Sequence, residues 1–362
     1  MIDALIVGAG PAGSLAALLL ARARWNVTLV EQHAFPRDKV CGECLSALGI
    51  DVLARAGVTH FPVTPIPLGR TLIHSTDGSA CEIALPRPMW GLSRHVLDHH
   101  LFNSAKAAGV RVLQPARCEG LFPRVIIRNL ISNEVESPEA RYIVRADGKA
   151  AADRSMADRS SGDFGIKAHF VDVNGPRDAI ELFAVDGSYG GLAPIEGNRW
   201  NAAFSVPAAR LHDHRGNVAA LFDEMIDENR ALAIRLRNAR QMGPWLAAPL
   251  PRFGVSDNWP ENIIPIGNAA AAIEPIGGEG MGLALRSAEL AASALILARA
   301  HTVPVDLQRL RADYGRLWKI RSAACRALAL AVSCKPLARW VMPAMDGCEM
   351  VSRAAMSIMG KN

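Results

Sequence analysis

Short apolar runs alternate with Ala/Leu-rich or amphipathic stretches along much of the chain. Ala4-Leu-Ile-Val7 is continuously apolar, the pattern of a strand buried on both faces. A helical stretch follows to about Arg24, and Val27-Thr-Leu-Val30 reads as a second strand ending on Glu31. Together they predict one β-α-β unit. Later runs predict a helix from Val96 to Ala108, a strand from Tyr142 that stops on Asp147-Gly148, and a helix from Leu283 to about Ala300. Between them lie shorter β runs: Thr71 to His74, Cys81 to Leu85, Lys167 to Asp172, Ala179 to Val185 and Trp200 to Val206. An amphipathic helix is predicted from Val218 to Ala239. No charge-free apolar run approaches the roughly 20 residues of a membrane-spanning helix.

The first turn reads Gly8-Ala-Gly10-Pro11-Ala12-Gly13, a G-x-G-x-x-G fingerprint between strand and helix, with Glu31 about 20 residues on. Gly8 serves the tight turn, Gly10 lets a pyrophosphate approach the backbone, and Gly13 brings helix and strand together. The helix N-terminus offers N–H donors and positive potential to phosphates. Glu31 is placed to accept from ribose hydroxyls. The fingerprint alone does not separate NAD from FAD.

A second Gly-rich turn, Glu274-Pro275-Ile-Gly277-Gly278-Glu-Gly280-Met281-Gly282, follows Ile263-Ile-Pro-Ile-Gly267-Asn268 and opens a helix. Its backbone N–H groups suit an acceptor such as a flavin carbonyl. After the second strand comes Phe35-Pro36-Arg37-Asp-Lys39-Val-Cys41-Gly42-Glu43-Cys44. The Cys-x-x-Cys within it admits zinc, redox-disulfide and flavin-packing readings; no second ligand pair supports zinc, and no metal is expected.

In this order, the Gly-rich turn, Arg-x-Lys-x-Cys-Gly, Asp-Gly and Gly-Asn-Ala-Ala resemble the flavoprotein monooxygenases of the hydroxybenzoate-hydroxylase fold and their relatives, the geranylgeranyl reductases. The resemblance implies an α/β fold: a Rossmann-like FAD-binding domain with an inserted β-sheet substrate domain and C-terminal helices. The expected division is residues 1–58, 91–164 and 253–300 for FAD, 59–90 and 165–252 for substrate, and 301–362 as a C-terminal helical segment. FAD would lie extended, with Arg37 near adenosine or pyrophosphate and Arg94 facing phosphates or ring. Asp147 and Gly148 would contact the cofactor, and Gly267 and Asn268 would hold ribitol and flavin. Cys41, Gly42, Pro275, Gly277, Gly278, Gly280 and Met281 would approach the isoalloxazine. Asn268 stands where the family usually has Asp, and Ala151 where Ser is frequent.

Tyr189-Gly-Gly191-Leu-Ala193-Pro194, with Asn201 beyond it, aligns with a family segment rich in bulky residues at the substrate pocket. Gly191 and Ala193 remove the halogenase signature, weaken the prenyl-reductase pattern and imply a wider chamber. The resemblance therefore implies first an NAD(P)H-dependent monooxygenase acting on a hydrophobic aromatic or polyketide-like substrate with O2, through a flavin C4a-hydroperoxide. Reduction of C=C bonds in a prenyl or polyketide lipid is the alternative, and a non-catalytic flavin-binding protein a third. NAD(P)H would visit transiently. His169, His212, His214 and Tyr189 are candidates for acid/base help, but each reads first as a surface or satisfied residue, so no catalytic residue is assigned.

Charge changes the picture only at the C-terminus. The net charge is +5, yet His301 to Asn362 holds ten Lys or Arg against four acids. Apolar residues interleave with them, which argues against nucleic acid and suggests either a lid over the chamber or a peripheral contact with an anionic membrane. Seven scattered cysteines suggest free thiols and a cytoplasmic protein.

Overall fold

A computed structural model describes residues 1–148, 162–251, 253–256, 259–260 and 262–333. The departure at Ala151 and the segment beyond residue 333 lie outside the described residues. Apolar runs bounded by turns become a five-stranded parallel sheet in the order Ile263–Pro265, Ala140–Arg145, Ile2–Val7, Val27–Val30, Arg111–Leu113. Leu5, Ile6 and Leu29 at its centre are fully buried, as strands covered on both faces require. The helix Pro11–Arg22 packs against Arg94–Ala107 and Gly280–His301.

By length and composition Gly280–His301 is apolar enough to cross a membrane, at a mean hydropathy of 1.5. Here it is a core helix. Leu283, Leu285, Ala288, Ala291 and Leu295 are buried, and it packs on Pro11–Arg22 and Ala47–Arg55. Gly49 and Gly282 sit at that second crossing, where a Cβ on Gly49 would lie 3.0 Å from the Gly282 Cα.

The second sheet has eight strands, in the order Arg240–Pro249, Phe164–Val171, Trp200–Val206, Ser188–Pro194, Ala179–Val185, Ile66–His74, Ala80–Gly91, Cys44–Leu45. Neighbours are antiparallel except Ala179–Val185 with Ile66–His74. Cys44–Leu45 joins this sheet at Trp90 and Gly91, so the segment after the second parallel strand is stitched directly to the eight-stranded sheet. Period-two alternation divides its faces. Ile180, Leu182, Tyr189 and Ala193 turn towards the parallel-sheet core, whereas Phe183, Val185 and Leu192 pack with Phe222 and Met225 of the outer helices.

The amphipathic helix expected from Val218 to Ala239 is two helices, Val218–Glu228 and Arg230–Leu236. Asn229 makes the break. Its Oδ1 accepts from the Ala231 and Leu232 N–H groups as an N-cap, while its Nδ2 donates to the Ala184 carbonyl at 2.9 Å. A continuous helix would forfeit that tie to the sheet, so the side chain overrides the apolar periodicity.

The helix Leu307–Ser333 folds back over the Ala179–Val185 and Ser188–Pro194 strands and the Pro275–Gly277 turn. Tyr314 and Trp318 are buried on it, and the Tyr314 hydroxyl donates to the Ser287 carbonyl at 2.8 Å.

Asn229→Ala removes an N-cap and leaves the buried Ala184 carbonyl without that donor. We expect a loss of about 2–4 kcal/mol, read as a lower urea midpoint at unchanged slope. An unchanged midpoint would mean that the break does not depend on this side chain.

Candidate cofactor and substrate site

One cavity of about 560 Å³ runs from the first Gly-rich turn, between the two sheets, to the helix Leu307–Ser333. Sequence-predicted residues that line it are Gly10, Pro11, Ala12, Arg37, Cys41, Gly42, Arg94, Asp147, Gly148, Tyr189, Gly191, Ala193, Gly267, Asn268, Pro275, Gly277, Gly278, Gly280 and Met281. Gly8, Gly13, Glu31, Pro194 and Asn201 do not line it.

Close packing explains the first two of those five, and hydrogen bonding the third. Gly8 has φ +100, and a Cβ there would lie 2.5 Å from the Ala146 carbonyl oxygen; a Cβ on Gly13 would lie 1.8 Å from the Gly8 oxygen. These glycines bring the first turn against its neighbouring strand and helix. Glu31 is buried, and its carboxylate accepts from the Ala9 and His33 N–H groups at 2.8 and 2.9 Å. It braces the turn and keeps lone pairs for a further donor.

Gly10 differs from both. Its backbone is extended, and a Cβ built on it meets only the Lys39 Nζ at 3.9 Å and the Arg94 Nη2 at 4.0 Å. The helix N-terminus, Lys39 and Arg94 thus converge on one small space, which Arg37 also borders. Burial pushes the Lys39 ammonium down to about 8, and Arg94 and Arg37 push the same way. Burial likewise lowers Arg37, whose Nε is buried without a partner among the described residues. For Arg94 burial also opposes the charge, but the bidentate Asp98 carboxylate, at 2.7 and 2.6 Å, outweighs it. Cations at a helix N-terminus with an unpaired donor form a site for a doubly charged anion. A dinucleotide pyrophosphate fits it.

Glu43 is fully buried and has φ +56, in the left-handed region. Its Oε1 accepts from the Lys167 ammonium at 2.6 Å and the Arg94 N–H at 2.8 Å, and its Oε2 lies 2.7 Å from the His169 Nε2. Burial pushes its pKa up, but the His169 hydrogen bond and the Lys167 charge prevail and hold it below the usual carboxylate range. Asp38, Glu43 and His169 bring possible ligand atoms within 4.8 Å of one another, and the Lys167 ammonium stands beside them, 3.7 Å from Asp38. Asn201 completes the anchorage: its Nδ2 donates to the Cys41 carbonyl at 3.0 Å. It fixes the loop that lines the cavity instead of lining it.

The far chamber is apolar and built from small residues. Ala193, Ala203, Ala247 and Ala248 line it with Ile180 and Leu182. Gly191 contributes backbone, not vacated side-chain space, because a Cβ there would lie 2.5 Å from the Glu181 carbonyl oxygen. The width expected from Gly191 comes from the alanines. His169 serves the Glu43 network, His214 lies 2.9 Å from Glu224, and His212 is exposed. Tyr189, buried at the chamber wall, donates its hydroxyl hydrogen bond to the Glu274 carboxyl. Glu43, Lys39, Lys167 and Glu274 escaped assignment from sequence, although Glu43 and Lys39 stand inside a motif already singled out.

The family described as an FAD binding domain matches residues 1–303. The chain is 26% identical to the conditioned medium factor receptor 1 of Dictyostelium discoideum over 82% of its own length and 63% of that protein's. It is 26% identical to the menaquinone reductase of Mycobacterium tuberculosis, over 81% of this chain and 76% of that one. It thus spans under two thirds of the first relative and about three quarters of the second. A geranylgeranyl bacteriochlorophyll reductase-like protein of Thermoplasma acidophilum shares its fold with a TM-score of 0.80, at 19% identity over 98% of this chain and 94% of that one.

Two substitutions at the first turn should behave oppositely. Gly10→Val should leave thermal unfolding nearly unchanged but abolish quenching of added flavin, because its side chain enters the anion space. Gly13→Ala should destabilise the fold itself. Flavin binding by Gly10→Val at wild-type affinity would place the pyrophosphate elsewhere.

Glu43→Gln should cost about 3–5 kcal/mol by leaving the buried Lys167 with only the more distant, exposed Asp38 as counter-ion. The sign with pH follows from the lowered Glu43 pKa: its contribution is full above the unfolded value near about 4.3 and is lost as pH falls through the folded one. The variant's stability should therefore fall less steeply than wild type in acid. Parallel acid-unfolding curves would contradict this.

Proposed function

The chain belongs to the FAD-binding-domain family, and on that premise we propose that it is an FAD-dependent oxidoreductase that reduces a C=C bond in a lipophilic prenyl- or polyketide-like substrate. The observation that carries the reading is the continuity of the cavity. An anion site at one end and an apolar chamber at the other share walls from the 37–44 loop and the 275–281 turn. The name of the menaquinone reductase favours reduction, and hydroxylation, which the sequence resemblance placed first, fits the comparisons equally, since a kynurenine 3-monooxygenase of Stenotrophomonas maltophilia is 29% identical over 42% of this chain.

In this reading Arg37, Lys39, Arg94 and the N-terminus of Pro11–Arg22 hold the pyrophosphate. Asp147, Gly148, Gly267 and Asn268 hold the middle of the cofactor, and Cys41, Gly42 and the 275–281 turn flank its ring. FAD, when bound, supplies two-electron chemistry, replenished by a visiting NAD(P)H. The eight-stranded sheet and Leu307–Ser333 exclude water and orient the apolar substrate. Phosphate neutralisation of the buried cations ties cofactor binding to the order of the 37–44 loop.

The proposal extends to a cytoplasmic protein in peripheral contact with an anionic membrane, the source of such a substrate. Support comes from Leu307–Ser333, where Arg309, Arg316, Lys319 and Arg326 are exposed beside Ile320 and Leu330. Sedimentation with anionic vesicles at low salt, lost at high salt and absent with neutral vesicles, is the expected result. Equal recovery in the supernatant under all conditions would remove this contact.

Pseudoionone, a prenyl-like ketone with conjugated and isolated double bonds, distinguishes reduction from hydroxylation. With NAD(P)H and without oxygen, the holoenzyme should give a product two hydrogens heavier. No anaerobic product, together with a product one oxygen heavier in air, would establish hydroxylation instead.

A further inference from the structure

Tyr189 and Glu274 form a path between the chamber and the outside. Tyr189 is 7% exposed and lines the chamber; Glu274 is only partly buried and receives the tyrosine's hydrogen bond. The two residues lie 85 positions apart, one on the Ser188–Pro194 strand and the other at the entrance to the second Gly-rich turn. Each packed element contributes a group that bears on the pair. Ser205 on the neighbouring strand faces Tyr189, Asp163 ahead of Phe164–Val171 faces both, and Arg326 on Leu307–Ser333 faces Glu274. Asp163 and Arg326 are themselves exposed.

Resting on the reductase reading, we propose that Glu274 and Tyr189 relay a proton from solvent to the substrate, and that the substrate's reducible double bond is conjugated to a carbonyl. Reduction of C=C takes a hydride on one carbon and a proton on the other. FAD, when bound and reduced by NAD(P)H, would supply the hydride. The π bond breaks, its electron pair moves towards the second carbon and the conjugated carbonyl, and the Tyr189 hydroxyl supplies the proton. In the relay Tyr189 turns its O–H from Glu274 to the substrate and then accepts the proton of the Glu274 carboxyl, so the hydrogen bond between them reverses, and Glu274 recovers a proton from water.

The acidity of the donor selects the substrate class. A phenol is too weak an acid to protonate an isolated alkene, so the hydride must arrive first and leave a basic, carbonyl-stabilised carbanion. Burial, and then the Glu274 carboxyl, raise the Tyr189 pKa well above its ordinary value and keep the phenol protonated. Burial also raises Glu274, with Asp163 adding to it and the Tyr189 hydrogen bond and Arg326 opposing. Glu274 therefore holds its proton to a higher pH than a surface carboxyl does.

The test uses the holoenzyme, Tyr189→Phe and Glu274→Gln, with pseudoionone as probe. Reduction by NAD(P)H is timed separately in each variant, so that the reoxidation step is read on its own. Anaerobic reoxidation by pseudoionone should fall about 100-fold in Tyr189→Phe, and less in Glu274→Gln with an altered pH profile. Only conjugated double bonds should be consumed. Independently of turnover, infrared titration should show a protonated-carboxyl band that persists above the usual carboxylate range, shifts in Tyr189→Phe and vanishes in Glu274→Gln. Wild-type reoxidation rates in Tyr189→Phe, or no such band, would overturn the relay alone. Reduction of the isolated bond would overturn the substrate class. Failure of wild type to reduce any bond of pseudoionone without oxygen would overturn the reductase reading itself.

Discussion

The buried Glu43 carboxylate is the constraint on which the cavity depends. It joins three parts of the chain that are far apart in sequence: its own loop, the start of Arg94–Ala107 and the strand Phe164–Val171. Removing a charge from water costs several kcal/mol, and only multiple well-placed donors offset that cost. Glu43 has an ammonium, an imidazole and a backbone N–H within 2.8 Å. The same contacts fix a left-handed backbone that a glutamate adopts only under compulsion. The loop carrying Arg37, Lys39, Cys41 and Gly42 is thereby held against the eight-stranded sheet, so anion site and chamber keep one register.

The anion end has the opposite character. There cations gather, and burial and mutual repulsion lower Lys39 and Arg37 although Glu31 and Asp98 oppose. Of these three cations, Arg94 alone has a carboxylate partner among the described residues, Asp98. A pyrophosphate bound there, as proposed, would relieve this repulsion, so its binding energy would also be folding energy for the loop. Affinity at this end and order at Glu43 are therefore coupled through Arg94, whose backbone serves Glu43 while its guanidinium faces Gly10.

How much of this is legible in sequence depends on range. The Gly8–Gly13 turn is legible because one β-α-β unit contains all its contacts, and each glycine's spacing follows from local geometry. The second Gly-rich turn is legible for the same reason. Glu43 is not, since its partners Lys167 and His169 lie 124 and 126 residues away. A glutamate inside a loop reads as a solvated charge until the sheet brings an ammonium to it. Tyr189 with Glu274 escapes in the same manner. Asn229 was legible in principle, being a strong N-cap residue inside an otherwise apolar repeat, but periodicity outvoted it. Gly191 misled for a further reason: a small residue can mean an open chamber or a crowded backbone, and only the neighbouring strand decides.

The central claim is that this cavity holds FAD with its pyrophosphate at Gly10. Its most direct test begins with protein stripped of nucleotide and equilibrated with FAD and NAD⁺ together. After removal of free nucleotide, heat denaturation releases whatever was bound, and chromatography identifies it. The account predicts FAD released in equimolar amount with the chain and no nicotinamide nucleotide. Release of NAD⁺, or of neither nucleotide, would contradict it.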